Sequence, residues 1–228
     1  MGHRLGSIQY LEIDKKLKEL FYYRESEESE ADLALMDQFG EKRNAILKNN
    51  PLDEEWNNFL NELKNEFKDL KVRNVTYLHQ PSWHGEITLE IQEFGNVATS
   101  LNIQFCVSRL SNYFAVIAMD CVKLDRERRI FSENGHKFSC FTPFHIYASP
   151  HHLFKNIDKS VREFIQKHFM GFKQLPIEIL FEKVPLLTPD LSYQTFNVYD
   201  AFFLGEIKHD VWIYYGKKNY PTEDWPTG

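Results

Sequence analysis

The stretch from Glu86 to Leu124 leaves this chain few folds to choose from, because its polarity is organised into three consecutive strand-like runs. In the first run Ile87, Leu89 and Ile91 alternate with Glu86, Thr88, Glu90 and Gln92. Successive side chains of a strand point to opposite faces, so this pattern sets one face on a core and the other in water. Between Phe94 and Val97 stand Gly95 and Asn96, which tolerate the positive φ of a tight hairpin. The second run sends Leu101, Ile103, Phe105 and Val107 inward and Asn102, Gln104 and Ser108 outward. After a polar turn at Ser111-Asn112, residues 113 to 122 are apolar at nearly every position, as in a central strand covered on both faces. The flanking helices are the candidates to cover that second face.

Helical spacing supplies them. Tyr10, Ile13, Leu17, Leu20 and Phe21 keep one such stripe, and Met36, Phe39, Ile46 and Leu47 another. A third stripe is Trp56, Phe59, Leu60, Leu63, Phe67 and Leu70, preceded by Pro51 and by Asp53, Glu54 and Glu55, acids that favour the positive end of a helix dipole. Val72 to Leu78 reads as a leading edge strand, followed by a loop holding Pro81, Trp83, His84 and Gly85. Beyond the meander, Lys137 to Tyr147 reads as a fourth strand whose Pro143 marks an edge or a bulge. A helix over Pro150 to Met170 follows, with Ser149 as cap, Gly171 as stop, and Phe154, Ile157, Val161, Phe164, Ile165 and His168 on one stripe. Further on, Thr195 to Leu204 suits a strand or a short helix, and Val211 to Tyr215 a strand. The expectation is an α+β fold. An antiparallel meander of four or more strands is covered by the helix of the C-terminal half, with an N-terminal layer of about three amphipathic helices. Residues 1–70 would form an acidic helical segment packed on an α+β body, 71–228.

Charge divides the chain at the same place. Residues 1–70 hold 16 acidic and 10 basic side chains, which is the whole net charge of −6, while the remainder balances. Phosphate binding rests on Lys and Arg, so a broad nucleic-acid surface is disfavoured and a basic partner suits better. Cys106, Cys121 and Cys140 lack CxxC spacing and are odd in number, which fits free thiols in a reducing compartment. With no signal-peptide core and no run near the roughly 20 apolar residues of a membrane helix, a soluble cytoplasmic protein is expected.

Chemistry-bearing residues are scattered. Glu25, Glu27, Glu28, Glu30 and Asp32 form an acidic run that reads either as a solvated loop or as a docking surface for a basic protein, since charge of one sign steers association. His79 and His84 bracket the loop before the meander without a third metal ligand nearby. Arg126, Arg128 and Arg129 have the donors for a phosphate, but Asp125 and Glu127 interleave with them. His151 and His152 lie in a first helical turn but point about 100° apart, which is awkward for one ion. Cys140 and His145, five residues apart on a strand, point to opposite faces and make no dyad.

One set does resemble a known pattern. Pro189-Asp190 followed by Glu206-Ile207-Lys208 resembles the loose motif of restriction-endonuclease-like nucleases. That resemblance implies two carboxylates, Asp190 and Glu206, holding Mg²⁺, with Lys208 helping to activate the attacking water. Two readings follow. The first is a non-enzymatic intracellular binder without cofactor, such as an inhibitor or toxin-neutralising immunity protein, engaging a basic protein partner through its acidic run. The alternative is a metal-dependent hydrolase or nuclease using Asp190, Glu206 and Lys208.

Overall fold

A strand that is apolar on both sides must be sandwiched, and the architecture is built on that requirement. The computed structural model describes residues 8–23, 30–50, 52–76, 80–94, 97–124, 142–147, 154–184, 186–187, 196–203 and 212–214. In chain order the elements are α1 (Ile8–Leu20), β1 (Tyr22–Tyr23), α2 (Glu30–Lys48), α3 (Asp53–Glu66), β2 (Lys71–Asn74), β3 (Ser82–Phe94), β4 (Val97–Ser108) and β5 (Tyr113–Leu124). They continue with β6 (Thr142–Tyr147), α4 (Lys155–His168), β7 (Lys173–Gln174), α5 (Ile177–Leu180), β8 (Lys183–Val184), β9 (Leu186–Leu187), β10 (Phe196–Asn197), α6 (Val198–Phe203) and β11 (Trp212–Tyr214). The fold is α+β, as the sequence leads one to expect.

The main sheet runs β11-β6-β5-β4-β3-β2, and β7 adds beside the start of β5. Neighbours β2 to β6 pair antiparallel, whereas β11 joins β6 and β7 joins β5 in parallel. Phe94 pairs with Val97, the register of a two-residue hairpin. The β5–β6 register shifts between Asp120 and Cys121, opposite Pro143, so Pro143 sits at an irregularity. It is not at the edge, because β11 lies beyond β6. Strand β3 starts at Ser82, so Trp83, His84 and Gly85 belong to the sheet and not to the loop expected there.

Each face of the sheet has its own core. On one, Ile87, Ile103, Phe105, Val107, Phe114, Val116 and Ala118 meet Trp56, Phe59, Leu60 and Leu63 of α3 and Val161 and Ile165 of α4. Phe154, just before α4, and Phe169, just after it, complete this core, with Ile157 and Phe164 partly buried at its margin. Gly171 follows with φ +82, a left-handed conformation that a residue without Cβ adopts freely. On the other face, Cys106, Ala115, Ile117, Met119, Cys121 and Ile146 meet α1 (Ile13, Leu17, Leu20), Phe21, α5 and α6. The N-terminal helices therefore divide between the faces: α3 covers one, α1 the other.

That second layer overturns one expectation. Of the polar positions of β3 and β4 expected to face water, Thr88, Asn102 and Ser108 are buried, and so are Ser82 and His84 at the start of β3. Buried polar groups need partners, and a polar cluster forms there.

Candidate functional site

Parity along paired strands brings the cluster together. Ser82 and His84 are two residues apart on β3 and share a face, and the register sets His84 opposite Cys106 on β4. Helix α6 supplies the rest. It is short, so its last carbonyls have no partner within the helix. The Phe203 carbonyl accepts from the Ser82 hydroxyl at 2.5 Å and from His84 Nε2 at 2.8 Å. The other ring nitrogen, Nδ1, lies 3.1 Å from Cys106 Sγ and 3.4 Å from the Gln104 amide nitrogen. Tyr199 Oη on α6 lies 3.4 Å from the same sulfur. One assignment is consistent with the close contacts: the Tyr199 hydroxyl donates to Cys106, the Cys106 thiol to Nδ1, and Nε2–H is shared between the Phe203 carbonyl and the Ser82 hydroxyl oxygen, 2.5 Å away.

This relay is neutral. Burial pushes His84 down to about 4, against the pull of the Phe203 carbonyl in the other direction. Burial likewise pushes the Cys106 thiol up to about 12, with the Tyr199 hydroxyl opposing, and drives Tyr199 well above its ordinary range. A Cys–His pair attacks substrates only as an exposed thiolate, whereas Cys106 is fully covered and His84 nearly so. The relay is a clamp that ties both ends of α6 to β3 and β4. Cys121 is buried too, and its thiol is pushed up to about 12, chiefly by burial, with the Asn102 amide opposing. Both described cysteines are free. Cys121 stands opposite Ser100, six residues along β4 from Cys106, about 20 Å at 3.3 Å per residue, so no bridge joins them.

A different surface opens at the far end of the same strands. Glu90, Leu101 and Asp120 are register partners in one row across β3, β4 and β5, with Gln92 opposite Thr99 in the next. With Ser100 these residues line a cleft of about 210 Å³. Two inter-strand spacings put the main chains of Glu90 and Asp120 about 10 Å apart, with the partly buried Leu101 as floor between them. The Gln92 amide donates to the Glu90 carboxylate at 2.5 Å. Glu90, Ile91, Gln92 and Glu93 are all exposed, so the strand is bare on both faces here.

Most residues singled out from the sequence fall elsewhere. Glu25, Glu27 and Glu28 lie outside the described residues, while Glu30 and Asp32 lie in α2. Asp190, Glu206 and Lys208 lie outside the described residues, as do Arg126, Arg128, Arg129, His79, His151, His152 and Cys140. Among the described residues no group of three or more His, Cys, Asp or Glu is placed to hold a metal ion, and no helix is long and apolar enough to cross a membrane. Reading the chain residue by residue misses the Ser82–His84–Cys106–Tyr199 relay. Its available signal is the run of polar residues at even positions of β3 facing those of β4.

No protein-family model, curated protein or solved structure matches this chain.

Proposed function

We propose that this chain is a non-enzymatic intracellular binding protein, of the inhibitor or toxin-neutralising immunity type, that engages a basic protein partner through its acidic N-terminal third. The observation that carries the reading is the charge division: residues 1–70 hold the entire net charge of −6. Any long-range field must come from there, and it attracts positive charge. The way the segment is held supports the same reading. Lys173 and Lys167 of the body reach Glu12 and Glu62, each at 2.7 Å, so acids near the body are met by its own lysines. Asp14 and Glu19 pair within α1, with Lys18 and Lys16. Helix α2 instead presents Asp37 and Glu41 to solvent and continues the run Glu25, Glu27, Glu28, Glu30 and Asp32. Of its described residues only Met36 is fully buried, which leaves α2 free to present a surface.

Affinity capture from the native host tests this, with a basic protein released by salt as the expected product. Release of only neutral or acidic partners at unchanged salt counts against it. Cleavage of nucleic acid with Mg²⁺ that is lost on Glu206→Ala would replace the binding reading with the nuclease one.

A further inference from the structure

Among the described residues, half of one sheet edge is open. Strand β2 covers β3 only from Gly85 to Thr88, and Val75 adds one bond to the His84 carbonyl. Beyond Thr88 no described strand pairs with the outer edge of β3, which continues for six residues to Phe94. Consecutive exposure of Glu90, Ile91, Gln92 and Glu93 agrees with that, Ile91 being 47% exposed. The β3–β4 register also shifts between Thr88 and Glu90, where the paths of β2 and the distal half of β3 part.

Open edges attract other strands, and their charges decide which. In a second copy of this chain, antiparallel pairing over the whole edge would set Leu89 against Phe94, Ile91 against Gln92, and Glu90 against Glu93. The last pair occurs twice, and like charges directly opposite each other repel. The same two carboxylates favour a strand carrying lysine or arginine at those positions. Beside them, the cleft floored by Leu101, with the exposed carboxylate of Glu90 at its rim, suits a long aliphatic stem with a cationic head.

We propose that the outer edge of β3, Leu89 to Phe94, is a docking edge for an extended segment of a basic partner, which adds to the sheet as a strand and lays a Lys or Arg side chain in the Glu90–Asp120 cleft. This rests on the reading of the chain as a binder of basic proteins, and gives that partner a second point of attachment away from the acidic run.

The test uses the full chain and two synthetic octapeptides of alternating lysine and valine, one ordinary and one with every peptide nitrogen methylated. Both carry the same charge, but only the first has the donors of a strand. Amide hydrogen exchange at Leu89 to Phe94 is expected to slow on addition of the ordinary peptide and to be unchanged by the methylated one. Glu90→Lys with Glu93→Lys is expected to weaken binding of the ordinary peptide by about tenfold, since the lysine opposite one of the two positions meets a repulsion in place of an attraction and the other carboxylate no longer adds to the local negative field. If both peptides bind equally and the double variant changes nothing, the edge proposal is overturned while the general preference for basic partners stands. If neither peptide binds at low salt, both fall. Slowing of the same amides with rising protein concentration and no peptide would assign the edge to a second copy and also overturn the proposal.

Discussion

Residue 84 gives the stability of this chain a definite pH dependence. His84 is held neutral between the Phe203 carbonyl and the Cys106 thiol, and its folded value lies at about 4 against an ordinary 6.5. Over that interval the unfolded chain binds the proton and the folded chain does not, so stability is complete above about 6.5 and is lost as pH falls towards 4. The contribution amounts to about 3 kcal/mol, since each tenfold loss of proton affinity is worth about 1.4 kcal/mol. Denaturant melts at pH 7 and near pH 4.5 should show this fall in the wild type, and a smaller one in His84→Gln; equal falls in both would show that residue 84 is not the source. Next to it, Gly85 serves a steric purpose. A Cβ there would stand 2.1 Å from Cε2 of Phe105, whose ring packs edge-on against Phe59 at 5.5 Å. Because that ring is locked among α3 aromatics, Gly85→Ala should destabilise by about 1–3 kcal/mol, the usual range for overpacking. Adding Phe105→Leu should recover part of the loss, and a strictly additive double-mutant cycle would show that the two sites do not touch.

At the scale of elements, α6 is the piece on which the second layer depends. Its start is fixed reciprocally: the Asp200 amide donates to the Asn197 side chain at 2.8 Å, and the Asn197 amide to the Asp200 carboxylate at 3.3 Å. Asn197→Ala should therefore cost about 1 kcal/mol in a thermal melt, the usual value of such a cap. Since α6 seals Cys106, a thiol reagent should leave Cys106 and Cys121 unmodified in the native protein and find three thiols, Cys140 included, after unreduced denaturation; one thiol instead of three would mean a disulfide. The strands β3 to β5 and the apolar stripe of α4 are legible in the sequence because each is a local period, of two or of about 3.6 residues. The buried polar face is not. Ser82, His84, Thr88, Asn102 and Ser108 have the composition of a solvent face, and what covers them comes from α1, α5 and α6, distant in the chain. Short elements such as β7, β8 and α5 carry no period to read, and tertiary contacts alone specify them. The cleft of Glu90 and Asp120 is equally hidden, because it depends on the register of three strands.

For the whole molecule, the central feature is an acidic helical third joined to an electrically balanced body. Exposed charges of one sign act mainly on encounter and less on the docked state, and because their fields are screened beyond about 8 Å at physiological ionic strength, that effect shrinks as salt rises. The measurement that bears most directly on this is the association rate of the basic partner with the wild-type chain and with a variant carrying Glu25→Lys, Glu27→Lys, Glu28→Lys and Glu30→Lys, at low and at physiological salt. The predicted result is an association rate that falls as salt rises and drops about tenfold or more in the variant, with dissociation changed far less. Association equally fast for both proteins at both salt concentrations would contradict the account, and would reduce the acidic run to a solvated loop.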